Sequence, residues 1–213
     1  GAMRRPALLV LLLAALTSPG GASAASPTVV LTPTVDIGLP FWCDWSYDWE
    51  SRCYRDDGPR LPLGGAGDKV WRSSLRFSLA SIPAEATIAR AELRLRYDGV
   101  CVAPRQALAA CRPPGAVVDA HRLLSSSPRE REPELDERVF WTAVVLESSE
   151  PQWLAWDLTA LAGAWHRGLA PNHGVLLKIQ DGDEDPAVPG PALPSAGHPD
   201  VAARPRLVVT YSL

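Results

Sequence analysis

Residues 74–97, SLRFSLASIPAEATIARAELRLRY, decide the fold class. Up to Leu79, Trp71, Ser73, Leu75, Phe77 and Leu79 alternate with Arg72, Ser74, Arg76 and Ser78. After the turn marked by Pro83, Ala89, Ala91, Leu93, Leu95 and Tyr97 alternate with Arg90, Glu92, Arg94 and Arg96. A period of two gives each strand one apolar and one wet face. The pair predicts an antiparallel sheet that covers a core on one side only, which suits a sandwich better than an α/β enzyme.

Working outward, Val29–Val35 reads as a first strand held to an edge by Pro33, which cannot donate to a ladder. Further strands are expected at Val117–Leu124, Val139–Leu146, Gln152–Trp156, Gly174–Gln180 and Arg206–Tyr211. Long loops separate them at Pro40–Gly67, Asp98–Gly115 and Ser125–Glu137. The loop at Asp181–Pro205, 25 residues long, is unusual in a compact domain unless functional or mobile. One short helix is predicted after Asp157 or Thr159, either of which can cap it, with Leu158, Leu161, Ala162 and Trp165 on one face. Gly168 and Pro171 end it. The expectation is an all-β protein: an antiparallel β-sandwich or jelly roll with one short α-helix. The 21 prolines and 16 glycines agree with short strands and many turns.

The N-terminus reads as a secretion leader. Arg4 and Arg5 precede an apolar run from Ala7 to Leu16, and Ala22-Ser23-Ala24 supplies a small-residue cleavage site. The run is too short to span a bilayer, which takes about 20 residues. Gly1 and Ala2 stand before Met3 like a tag remnant. Residues 1–24 are therefore expected to be a leader and 25–213 a single secreted domain with no membrane anchor. Taking Arg4 and Arg5 from the 21 basic residues leaves 19 against 24 acidic ones, a net charge of −5. With no basic stripe, nucleic acid is a poor partner.

Four cysteines form two pairs of equal spacing, Cys43/Cys53 and Cys101/Cys111. In an exported chain such pairs read as disulfides rather than zinc ligands, which need closer spacing. Of three possible connectivities the two local ones are favoured, each closing a loop worth about 2.7 kcal/mol.

The loop FWCDWSYDWESRCY, residues 41–54, gathers Phe41, Trp42, Trp45, Tyr47, Trp49 and Tyr54 around Asp44, Asp48, Glu50 and Arg52. Aromatic rings beside carboxylates suit stacking on a sugar face with hydrogen bonds to its hydroxyls, and equally a protein hot spot. Rings that merely cover the end of a sandwich would read the same way. Asp181, Asp183 and Asp185, with Glu184, mimic the start of a calcium loop, although Pro186 stands where glycine is required. A structural calcium or a solvated turn both fit, and no other cofactor is implied. His121, His166, His173 and His198 show no ligand spacing, and no nucleophile elbow or nucleotide loop occurs. Glu130, Glu132, Glu134, Asp136 and Glu137 read as a solvated loop rather than a glycosidase pair. The chain is not expected to be an enzyme.

Three segments carry a family resemblance: SSLRFSLASIPAEATIARAELRLRY, WLAWDLTALAGAWHRGLAPNHGVLLKI and ARPRLVVTY. In order and wording they resemble the DNRLRE-type domains of secreted bacterial and archaeal proteins. Those domains are related to a carbohydrate-binding module family and to a β-jelly-roll likened to transforming-growth-factor propeptides. The resemblance spans Asp36 to Tyr211. It is most specific at Asp157-Leu158-Thr159, Trp165, Gly168 and Asn172-His173-Gly174. Ser78 replaces an aspartate common in that family, and the aromatic loop replaces its asparagine-glycine stretch. The resemblance implies a secreted, non-catalytic module that binds a polysaccharide, with Trp42, Asp44, Trp45, Tyr47, Asp48, Trp49 and Tyr54 as the platform. The alternative is an adaptor or structural subunit with a secreted protein partner.

Overall fold

The structure is a computed structural model, and it describes residues 26–41, 58–66, 69–101, 115–126, 134–180, 184–185 and 188–213. Among these residues, strands and a helix follow in the order β1 (Thr28–Leu31), β2 (Pro33–Phe41), β3 (Arg60–Pro62), β4 (Gly64–Ala66), β5 (Lys69–Phe77), β6 (Thr87–Tyr97), β7 (Val117–Leu123), β8 (Leu135–Val145), β9 (Gln152–Asp157), α1 (Thr159–His166), β10 (Val175–Ile179), β11 (Ala192–Pro194) and β12 (Arg206–Ser212). The first sheet runs β1-β12-β6-β9. The second runs β2-β5-β10-β7-β8 with β4 beside β5, and β3 and β11 form a separate ribbon. All the paired strands named here are antiparallel. Among the described residues the chain is mostly β with one short helix, as its alternating patterns require.

One core lies between the sheets. Leu93, Leu95, Tyr97, Leu154, Trp156, Leu207 and Val209 from the first meet Leu75, Phe77, Val118, Leu177 and Ile179 from the second. Trp156 is fully buried, and its indole Nε1 donates to the Val118 carbonyl at 2.9 Å, across the sandwich. Helix α1 closes one end with Leu161, Ala162 and Trp165 turned inward.

Local sequence explains the helix termini. Leu158 is the N-cap and makes no side-chain cap. Asp157, one residue earlier, instead accepts from the Thr159 amide at 2.9 Å, and the Thr159 hydroxyl accepts from the Ala91 amide of β6 at 3.0 Å. The two expected capping residues thus take separate roles, one satisfying the helix and the other tying it to the sheet. At the far end Gly168 takes φ +68°, with its amide on the Trp165 carbonyl and the Leu169 amide on that of Ala164. That is a Schellman ending, which glycine adopts at least cost.

The structure corrects four expectations. The strands before and after Pro83 do not pair: β5 lies in the second sheet and β6 in the first. The turn therefore arches over the end of the core. The single strand expected at Val29–Val35 is two, with β1 at an edge of the first sheet and β2 beside β5 in the second. Thr32 and Pro33 mark the crossing, and the register slips between Pro33 and Val35. The wet face predicted for β5 is covered, since Arg72 and Ser74 are buried together with Leu176, Lys178, Asp119 and His121 of neighbouring strands. Finally, the described part of 181–205 is not all loop. Its β11 pairs with β3, Leu193 is fully buried, and Gly190 packs so tightly that a Cβ would stand 1.8 Å from the Leu63 carbonyl.

Candidate partner-binding face

The outer face of the first sheet is the charged surface that the fold leaves open. Register sets its rows: Thr210 with Arg90; Val208, Glu92 and Asp157; Arg206, Arg94 and Ala155; and finally Arg96 with Trp153. Residues two apart in each strand share the face because side chains alternate. Val30 of β1, 58% exposed, continues the second row through Val208.

Two halves of this face differ electrostatically. In one, Glu92 is shared by two guanidiniums: Arg90 Nη2 donates to Oε2 at 2.5 Å, and Arg94 Nε donates to Oε1. Partial burial would raise the Glu92 carboxyl, but the hydrogen bonds and charges of Arg90 and Arg94 outweigh it and hold it below the usual range. Asp157 is likewise lowered, by the Thr159 hydroxyl and amide and by the Arg90 charge. In the other half, Arg96 and Arg206 both lie over the Trp153 ring, at 5.8 and 4.3 Å from its centroid. Neither forms an ion pair with a carboxylate among the described residues, and Arg206 Nε has no hydrogen-bond partner there. Stacking on an indole suits a guanidinium, which is weakly hydrated and planar.

The covered face of the second sheet holds charge of another kind. Arg72 Nε and Nη2 donate to Glu184 at 3.0 and 2.6 Å, with both side chains 8% exposed. Lys178 stands opposite Asp119 in the β10–β7 register, and His121 Nε2 is 3.7 Å from Asp119 Oδ2. This is a buried polar stripe. An open depression of about 550 Å³ beside α1 is lined by residues 79–84, Trp165 and His166, with His166 its one titratable group. No group of three or more His, Cys, Asp or Glu that could hold a metal occurs among the described residues.

The sites expected from sequence lie mostly outside the described residues. Phe41 ends β2. Trp42, Asp44, Trp45, Tyr47, Asp48, Trp49 and Tyr54 lie outside the described residues, as do Asp181, Asp183 and the leader. Asp185 is exposed, and its neighbour Glu184 is engaged by Arg72. Among the four cysteines only Cys101 is described. It is buried and disulfide-bonded, but Cys43, Cys53 and Cys111 lie outside the described residues, so the two local pairings are not supported by the structure. Conversely, the sequence reading places Trp153 only within a strand. The signal is present in QWLAWD, where alternation turns Trp156 inward and Trp153 outward.

The family model described as TGF-beta propeptide matches residues 59–190, more than half of the chain, and the chain belongs to that family. A search of curated proteins finds no match. The propeptide family is non-catalytic. This overturns the DNRLRE-type resemblance, together with its bacterial and archaeal setting and the carbohydrate-binding function drawn from it. The residues that carried the resemblance explain the error. Trp165 and Gly168 close the helix, Asn172 holds the Phe77 carbonyl at 2.8 Å, and Gly174 fits against Leu75. They specify a sandwich with one helix and say nothing of a ligand.

Proposed function

We propose that the chain is a secreted, non-catalytic propeptide-type domain that holds a protein partner of the growth-factor class. The family match over residues 59–190 carries this reading. The exposed outer face of the first sheet supports it, because sheet faces bearing arginine and tryptophan are suited to protein contacts. The adaptor alternative raised by the sequence belongs to the same class of function, and polysaccharide is withdrawn as a partner. Cross-linking of the tagged chain in its native secretome, followed by mass spectrometry, is expected to recover one stoichiometric secreted protein. Migration as a lone monomer, with no cross-linked protein, would refute the reading.

Within this reading a jelly-roll domain occupies 25–213 after removal of a leader at 1–24, with local bridges Cys43–Cys53 and Cys101–Cys111. Cys101 is disulfide-bonded, and its partner lies outside the described residues. N-terminal sequencing and a non-reducing peptide map read both features, and a peptide linking Cys101 to Cys43 or Cys53 would exclude that pairing.

A further inference from the structure

We propose that Arg96, Arg206 and Trp153 form a receptor for an acidic segment, rich in Asp or Glu, on the protein partner. The inference rests on the partner-holding reading above and names the chemistry of the contact. The face supplies its own comparison. Where a carboxylate is available in the chain, at Glu92, two arginines converge on it. One strand-repeat further along, Arg96 and Arg206 converge on an aromatic ring, and no carboxylate of the described residues joins them. Two like charges gathered over one ring are completed by an anion from outside.

The geometry suits carboxylate. A guanidinium attracted to a ring face still carries the N–H fork that a carboxylate accepts bidentately. Arg96 lies within β6 directly opposite Trp153 of β9, and Arg206 begins β12 opposite Arg94. All three therefore rise from paired strands, which lowers the ordering cost of binding. The attraction for an anion is local, since Arg96 and Arg206 place two positive charges at Trp153 in a chain whose net charge is −3. An extended sulfated polymer fits less well. It needs a continuous basic stripe, and Glu92 neutralises the Arg90–Arg94 half while Asp157 borders it.

The test is fluorescence polarisation of the full chain with a fluorescein-labelled hexaglutamate peptide. Hexalysine serves as the control and a heparin hexasaccharide as the competitor. Saturable hexaglutamate binding is expected, weakening at least tenfold between 20 and 200 mM salt and at least tenfold in the double variant Arg96→Gln, Arg206→Gln. Arg167→Gln, at the end of the helix and outside the rows of this face, is expected to bind like the parent. Circular dichroism checks the fold of each variant. In the parent chain itself, titration is expected to shift the Nε–H resonances of Arg96 and Arg206 and the indole resonance of Trp153, so the assignment stands without any variant. No binding of hexaglutamate, equal binding by the double variant, shifts confined to other residues, or binding of heparin alone would each overturn the proposal. Because the probe is a peptide, such a failure leaves the cross-linking result for the natural partner separately readable.

Discussion

The Trp156 indole donates to the Val118 carbonyl across the core, joining β9 of the first sheet to β7 of the second. The bond links the two sheets directly through the core. Trp156→Phe leaves a buried carbonyl without its donor and a smaller ring in a filled space. It is expected to cost about 2–3 kcal/mol, and Trp156→Ala about 3–5 kcal/mol. Urea midpoints with an unchanged slope give these values. Trp153→Phe, on the outer face, is expected to stay within about 1 kcal/mol of the parent, and equal losses at both tryptophans would contradict the assigned faces.

Gly174 has φ +95°, and a Cβ there would lie 2.2 Å from the Leu75 carbonyl oxygen. The next residue, Val175, pairs with Leu75, so the strand cannot shift without losing register. Gly174→Ala is expected to destabilise by more than about 2 kcal/mol. Gly168, at φ +68° with nothing within 4 Å of its Cβ position, is expected to lose only about 1–2 kcal/mol as alanine. Thermal melts of the two variants side by side distinguish close approach from backbone conformation alone.

The Arg72–Glu184 pair is buried on both sides. Glu184→Gln keeps the shape but leaves a guanidinium facing a neutral amide, at an expected cost of about 2–3 kcal/mol. Salt screens such a pair poorly, so the loss is expected to be the same with or without 0.5 M sodium chloride. A loss that vanished in salt would place the pair in solvent.

Acid sensitivity follows from three carboxyls held low in the fold. Burial would raise Asp98, but its two hydrogen bonds and charge contact with Arg60, and backbone amides at Val100 and its own position, outweigh it. Asp98, Glu92 and Asp157 therefore contribute stability that is present above their ordinary values, 3.8 for aspartate and 4.5 for glutamate, and is lost as pH falls through the lower folded values. Asp36 has the opposite sign. Burial raises it despite the Ala196 amide, so its contribution is full below 3.8 and is lost as pH rises through the folded value. Melting temperatures from pH 2 to 8 are expected to show a shallower acid limb for Asp98→Asn. Asp36→Asn is expected to gain on the parent toward neutral pH. An unchanged acid limb in Asp98→Asn would show that the Arg60–Asp98 pair contributes nothing to acid sensitivity.

The sequence made the class of fold legible because burial on one side imposes a period of two. LRLRY in β6 follows that rule and its inner face is as read; QWLAWD in β9 obeys it too, with Leu154 and Trp156 inward. The rule failed at β5. Its polar Arg72 and Ser74 looked wet, yet an acid more than a hundred positions later, Glu184, covers and neutralises Arg72. Alternation reports that a strand has two faces and cannot report what approaches either one.

The carbohydrate reading fell to the family match, while the aromatic run at 41–54 lies almost wholly outside the described residues. The proposed face is assembled from single residues on three strands: Arg96, Trp153 and Arg206. No local spacing links them, because register between distant segments is what places one guanidinium over another strand's ring.

By itself, then, the sequence determined the alternating strands, the helix with its glycine ending and the all-β class, since these follow from steric and solvent preferences of neighbouring residues. Only the tertiary structure decided that β5 and β6 belong to opposite sheets, that one sheet is covered while the other stays open, and that two arginines share Trp153. Those outcomes depend on long-range packing, in which partners far apart in the chain compete for the same face.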